Sequence, residues 1–259
     1  MRTATQHTAL LTARALRSVS RVPVFMVMNL VQPMLWLLLF GALFRSVVEI
    51  PGFGSDSTYL EFITPGIVMM TAMFGAAWAG TTFVQDMERG VMDRFLASPT
   101  SRGALMVASM ACQAVIALAQ ALVVLGVAWL CGARFDGGLG GVGLLLLGVV
   151  LLTAIFSALS NAFALLTGQQ EALIGLSQMI TLPLMFLSSA IMDPRLSPAW
   201  VAEVARYNPF DWAVRLGRAA LDGSAPASEI LGPAALLAAA TVIMAWVATR
   251  AFRARQKSV

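Results

Sequence analysis

Residues 63–113 read ITPGIVMMTAMFGAAWAGTTFVQDMERGVMDRFLASPTSRGALMVASMACQ. The stretch leaves one uncharged, largely apolar run, Ile63–Gln85, crosses a charged block over Glu88–Arg102, and enters a second uncharged run, Gly103–Ala133. Each run is long enough for a helix of the ~20 residues that a bilayer core requires. The charged block is too short and too polar to cross. The reading is two membrane-crossing helices joined by a short connector on one side of a membrane.

The rest of the chain fits that reading. Of its 259 residues, 59% are hydrophobic and only 12% charged, against about 25% charged in soluble domains. One globular core of this length cannot hide so much apolar surface, so lipid is the better solvent. Spans are expected at Val24–Phe44, Ile63–Val84, Ala104–Leu130, Leu139–Leu166, Ala172–Met192 and Ile230–Thr249. None holds an Asp, Glu, Lys, Arg or His between its ends. The expected fold is an all-α integral membrane protein with six transmembrane helices. Residues 1–22 precede them, residues 23–250 form the transmembrane domain, and residues 251–259 form a basic tail. No repeat or low-complexity tract interrupts this order. The first apolar run is too long for a secretory leader and lacks a small-residue cleavage site, so the N-terminal residues are expected to stay.

Six spans place both termini on one side. The compartments holding the termini, the Gln85–Gly103 connector and Gly168–Glu171 carry 11 of the 17 Lys and Arg residues. The positive-inside rule then puts both termini and the connector in the cytoplasm. Ahead of the first span, Arg14, Arg17 and Arg21 fall on one face at helical spacing, opposite Leu11, Ala15, Val19 and Val22. An interfacial amphipathic helix and simple topology-fixing positive charges both explain them.

The longest polar interval, Asp193–Glu229, contains NPFDWAVRLGRAALDG. Asn208-Pro209 is a helix-starting pair and Asp222-Gly223 a stop. Asp211, Arg215, Arg218 and Asp222 fall on one stripe, and the spacing predicts Asp211–Arg215 and Arg218–Asp222 ion pairs. Phe210, Ala213, Val214, Gly217 and Leu221 fall opposite. A short amphipathic helix is expected there, on the extracytoplasmic surface or dipping into the membrane beside Trp200 and Trp212.

Several chemistries are excluded. The sole lysine, Lys257, cannot complete a P-loop, whose lysine must follow a glycine and precede Ser or Thr within G-x-x-x-x-G-K-[ST]. The sole histidine, His7, lies outside every span, which removes Ser-His proteolysis and a histidine-built zinc centre. No catalytic, cofactor or metal residues are expected, nor is a nucleic-acid partner. Cys112 and Cys131 sit in one apolar stretch and read as small packing residues, not a disulfide or metal pair. The spans also lack the ionisable groups that proton-driven carriers place at membrane depth.

As a helix, the connector sets Val91, Met92, Phe95 and Leu96 against Glu88, Arg89, Asp93 and Arg94, and Ser98-Pro99 ends it. A lipid-facing helix favours a basic polar face. The mixed charges here favour a protein groove.

PGIVMMTAMFGAAWAGTTFVQDMERGVMDRFLASPTSR, together with YLEFITPG before it and LPLMFLSSAIMDPRLSPAWVAEVARYNPFDWAVRLGRAAL later, resembles the ABC-2 type exporter permeases. The closest likeness is to the daunorubicin/doxorubicin-resistance permease group. The resemblance runs through nearly the whole chain from the first span onward. It implies a permease that pairs with a second copy or a related permease and with two copies of a separate ATP-binding subunit. ATP and Mg²⁺ would be held in that subunit. Glu88–Pro99 would be the coupling helix seated in a cleft of the ATPase, with Glu88, Arg89, Gly90, Leu96, Ser98 and Pro99 matching the family pattern best. Met92 and Phe95 stand where the family often has Leu-like residues, which changes the shape of the knobs. Arg14, Arg17 and Arg21 would belong to an interface helix, and Trp200, Asn208, Pro209, Asp211 and Arg215 to re-entrant helices closing an outer gate.

The implied activity is export of a hydrophobic or amphipathic drug, antibiotic or lipid across a bacterial plasma membrane. Asn29, Gln32, Met73, Phe74, Gln178 and Met185 are candidates for the substrate path, although amides and methionines serve equally as span packing. An ATP-independent six-span transporter or channel, and a membrane anchor recruiting an ATPase, are the alternatives.

Overall fold

A computed structural model describes residues 12–13, 17, 23–44, 58–88, 102–191 and 198–255. In chain order, the described residues include helices α1 (Pro23–Leu43), α2 (Tyr59–Ala77), α3 (Gly80–Glu88), α4 (Arg102–Leu130), α5 (Gly138–Thr167), α6 (Gln170–Phe186), α7 (Ala199–Ala205), α8 (Pro209–Asp222) and α9 (Ala227–Arg255). Among the described residues, four helical stretches are long and apolar enough to cross a membrane: Tyr59–Thr82, Val107–Leu130, Gly138–Thr167 and Ala227–Arg250. Met28–Leu43 is apolar but shorter. This is an all-helical membrane architecture.

The expected fifth span, Ala172–Met192, is too long. Its helix stops at Phe186, and Leu187–Ile191 continue without helical structure. The expected second span, Ile63–Val84, is also modified: it starts at Tyr59 and breaks at Trp78–Ala79 before α3 resumes. Thr58 starts α2 by a capping box, in which its hydroxyl accepts from Glu61 N–H while the Glu61 carboxylate accepts from Thr58 N–H. Helices α1, α4 and α5 start and end within two residues of the expected runs, whereas α9 begins three residues earlier and continues six residues past Thr249 to Arg255.

The bundle is built around α2 and α5. α2 is buried along almost its whole length, and α4, α5, α6, α8 and α1 all pack on it. α5 touches α4, α8 and α9 most extensively. Ile63, Ile67, Met69 and Met73 of α2 share one apolar core with Leu145, Val149 and Leu152 of α5 and with Phe210 and Leu216 of α8. A second, smaller core joins Val84 of α3, Ala158 and Leu165 of α5, Leu173 of α6 and Ala248 of α9. The outer faces of α1 and α9 stay apolar and exposed, as at Leu35, Leu39, Val242 and Ile243, which lipid accommodates at no cost.

Candidate functional site

Where α6 ends, the chain exposes backbone groups inside an apolar bundle, and each must find a partner there. Pro183 lies one turn before the break, and Leu187 N–H still reaches Pro183 O at 2.8 Å. Beyond it the partners come from other elements. The Asn208 side-chain amide donates to Leu184 O at 2.7 Å and to Leu187 O at 2.8 Å. Its oxygen accepts from Phe210 N–H at 2.9 Å, capping α8. Asp211 accepts from Ser189 N–H at 2.7 Å, and Arg218 donates to Ser189 O at 2.9 Å. The Tyr59 hydroxyl donates to Ile191 O at 3.1 Å. One residue, Ser189, is thus held by its N–H and its C=O from two positions on the same α8 stripe.

The fit is tight because α2 presents a glycine. A Cβ on Gly66 would lie 2.5 Å from Ala190 O, so the non-helical segment after α6 rests directly on the α2 backbone. The Arg218 guanidinium also stacks over the Phe62 ring at 3.9 Å from its centroid. On the far side, α8 meets α5 backbone to backbone. Gly137 N–H donates to Leu221 O at 2.9 Å, and a Cβ on Gly141 would lie 2.1 Å from Ala220 O. The α8 C-terminus closes at Gly223 in the left-handed region, φ 72°, as Asp-Gly predicts.

The anticipated helix starting at Asn208-Pro209 is therefore present, but it is not a surface helix. Phe210, Asp211, Ala213, Val214, Leu216 and Leu221 are buried. The expected Asp211–Arg215 pair is not formed: Asp211 is only 2% exposed and turned to Ser189, while Arg215 is exposed. Helical spacing placed both on one stripe, but the segment after α6 covers only part of it. Of the second expected pair, Arg218 reaches across to Ser189 and Phe62, and Asp222 accepts from the Ser224 hydroxyl at 2.6 Å. Trp200, on α7, stays exposed, and the Trp212 indole donates to Arg206 O at 2.7 Å.

The candidate path residues fall in three settings. Met73 and Met185 are sealed in the main core with Phe74 packed against it, Gln178 is half-buried on α6, and Asn29 and Gln32 are exposed on α1. Glu88 ends α3, but Arg89, Gly90, Met92, Phe95, Leu96, Ser98 and Pro99 lie outside the described residues, as do Arg14 and Arg21. Arg17 is helical and exposed. Cys112 is buried and Cys131 exposed, both as free thiols. Among the described residues, no group of three or more His, Cys, Asp and Glu side chains could hold a metal.

Sequence reading missed Ser189, Tyr59 and Gly66. The usable signal was YLEFITPG itself, whose Tyr and Gly both serve the segment after α6. The junction offers no nucleophile paired with a base. Its chemistry is backbone capture: it fixes an interrupted helix between α2 and α8.

A bundle of apolar helices with an interrupted helix locked by a buried amphipathic one is a membrane-protein design, and comparison with known proteins gives its family. The ABC-2 type transporter family matches residues 6–221. The chain belongs to this family. It is 31% identical over 218 residues to the daunorubicin resistance ABC transporter permease protein of Streptomyces coeruleorubidus, covering 82% of this chain and 74% of the relative. It is 27% identical over 212 residues to the putative transport permease ycf38 of Pyropia yezoensis, covering 81% and 72%. A probable doxorubicin resistance ABC transporter permease protein of Mycobacterium tuberculosis is 22% identical over 227 residues, covering 88% and 79%. This ABC-2 protein is therefore a multi-pass ABC transporter permease, of a family that normally pairs with an ATP-binding subunit.

Proposed function

We propose that this permease is the membrane half of an ATP-driven exporter that moves a hydrophobic or amphipathic substrate (drug, antibiotic or lipid) out of the cytoplasm or inner leaflet. The reading rests chiefly on ABC-2 membership in a chain whose only lysine is Lys257. With no P-loop lysine in place, ATP and Mg²⁺ belong to a separate subunit. The resistance named for two relatives supports a drug-like substrate.

In this reading six spans cross a bacterial plasma membrane with both termini cytoplasmic. The working unit is two permeases, identical or related, with two ATP-binding subunits. Glu88–Pro99 seats in a cleft of the ATPase, with Met92, Phe95 and Leu96 as apolar knobs and Glu88 and Arg89 setting register. Arg14, Arg17 and Arg21 lie along the cytoplasmic interface. The Ser189 junction, with Asn208 and Asp211, lies on the extracytoplasmic side and keeps the outer gate shut at rest. Nucleotide drives the cycle by favouring one arrangement of the permease pair over the other.

The test is purification of the tagged protein from its native membranes in mild detergent. A Walker-motif protein should co-purify in equal amount with vanadate-sensitive ATP hydrolysis. Phe95→Asp combined with Leu96→Asp should abolish that association while membrane insertion is unchanged. Association that survives the double substitution removes the connector from the reading. An intact permease that repeatedly purifies without any ATPase makes an ATP-independent carrier or channel the better description.

A further inference from the structure

The second break in the bundle lies between α2 and α3. In a continuous helix Gly80 N–H would donate to Ala76 O, and Thr81 N–H to Ala77 O. Instead Ala79 N–H takes Ala76 O at 3.0 Å, and Thr81 N–H takes Trp78 O at 3.1 Å. The break thus leaves Gly80 N–H and Ala77 O without their helical partners.

Ser160 of α5 supplies both. Its hydroxyl accepts from Gly80 N–H at 2.9 Å and donates to Ala77 O at 2.6 Å. Ser177 of α6 adds a second donor to Ala77 O at 3.1 Å. Ser160 is 2% exposed and Ser177 7% exposed, so water does not compete freely. Gly80 is also pressed against α5: a Cβ there would lie 2.4 Å from Ser160 O.

The break falls on a boundary in the packing. Residues of α2 up to Ala76 belong to the main core, whereas Val84 of α3 belongs to the small core with Leu173 and Ala248. α3 is therefore anchored in a different packing unit from α2. It is also the element that ends at Glu88, where the charged connector begins.

We infer that Ser160 is the pivot of a two-state joint between α2 and α3, through which movement of the cytoplasmic connector reaches the membrane core. The inference rests on the exporter reading for the source of the movement, but the joint itself is a property of this chain. In one state the hydroxyl bridges the broken ladder. In the other, Gly80 N–H and Thr81 N–H return to Ala76 O and Ala77 O, and α2 and α3 become one helix. Hydrogen bonds are exchanged rather than lost, so the two states lie close in free energy and a partner's binding can choose between them. Ser160 acts here as a positioning residue, which sets the angle at which α3 leaves α2. Ser177 serves as the control, because it meets only one of the two freed groups.

The joint is tested with the full-length protein in which Cys112 and Cys131 are replaced by alanine. Spin labels at Thr82, beyond the break, and Leu166, on the exposed side of α5, report the α3–α5 distance distribution. Ser160→Ala should shift that distribution in the isolated permease, and Ser177→Ala should leave it near wild type. Gly80→Ala, which forces α3 off α5 without removing the hydroxyl, should shift it too. Unfolding temperature, read alongside, separates a moved joint from a damaged fold.

In proteoliposomes with the co-purified ATP-binding subunit, daunorubicin is the probe. Ser160→Ala should lower the daunorubicin moved per ATP hydrolysed by about five- to tenfold, the effect of biasing one hydrogen-bond exchange. Ser177→Ala should stay within about twofold. A Ser160→Ala distribution identical to wild type overturns the joint, whatever the transport result. A shifted distribution with an unchanged transport-to-hydrolysis ratio overturns its role in relaying movement. Absence of any ATP-binding partner defeats the exporter reading and the relay with it, while the distance measurement still decides whether the joint exists.

Discussion

Among the described residues of this permease, the helical course is interrupted after α6 and between α2 and α3, and the two interruptions are repaired by opposite means. At the end of α6 the freed groups are taken by an amide, a carboxylate and a guanidinium, from Asn208, Asp211 and Arg218, each aimed at a specific backbone atom. Between α2 and α3 they are taken chiefly by one hydroxyl that both accepts and donates. Hydrogen bonds to charged groups contribute about 1.5–3 kcal/mol and neutral ones about 0.5–1.5 kcal/mol. The non-helical segment beyond α6 is tied to α8 through Asn208 and Asp211, which fix its course. The first interruption is a clamp and the second a pivot. The 12 residues of α2 from Gly66 to Ala77, about 18 Å of helix, connect them.

This contrast can be broken at the clamp. The largest effect is expected from Asp211→Ala, which strips the acceptor from Ser189 N–H beside the Arg218 charge. It should cost about 3 kcal/mol, seen as a lower unfolding temperature in detergent together with loss of transport. If Asp211→Ala instead leaves stability intact and changes only transport, the clamp behaves like the pivot and the distinction fails. A smaller loss, about 1–2 kcal/mol, is expected from Asn208→Asp, which keeps the α8 cap but removes both donors to Leu184 O and Leu187 O. Equal stability in wild type and Asn208→Asp would reduce Asn208 to a helix cap alone. The smallest effect belongs to Arg215→Ala, expected to fall within about 0.5 kcal/mol because the side chain is exposed. A clear drop in unfolding temperature for that variant would reinstate a pairing that the geometry lacks.

Legibility of these features in the sequence depended on whether a residue's role is set locally. Asn208-Pro209 and Gly223 announce the ends of α8 because caps and left-handed stops are decided within a few residues. The long apolar runs announce helices for the same reason. Asp211 misled because periodicity tells which face a residue shares and says nothing of what covers that face. Ser160 and Ser177 were invisible for a related reason. Thr64, Thr71, Thr181 and Thr241 all donate to the carbonyl four residues back in their own helices. A hydroxyl in an apolar run therefore looks the same whether it folds back on its helix or bridges a break in a neighbour. Only the placement of α5 beside α2 separates the two.

The turn between α4 and α5 is short and carries an exposed arginine, which would mark it as a place to insert an affinity tag or a fluorescent protein. Its backbone argues against that use. Arg134 N–H donates to the Glu61 carboxylate at 2.7 Å, and Gly137 N–H to Leu221 O at 2.9 Å. Gly132 and Gly138 hold positive φ at either end. This turn is spliced to the start of α2 and the end of α8, so one extra residue would slide α5 past both. The tolerant site for engineering is the turn after α8, Ser224–Pro226, where the chain leaves for the peripheral α9.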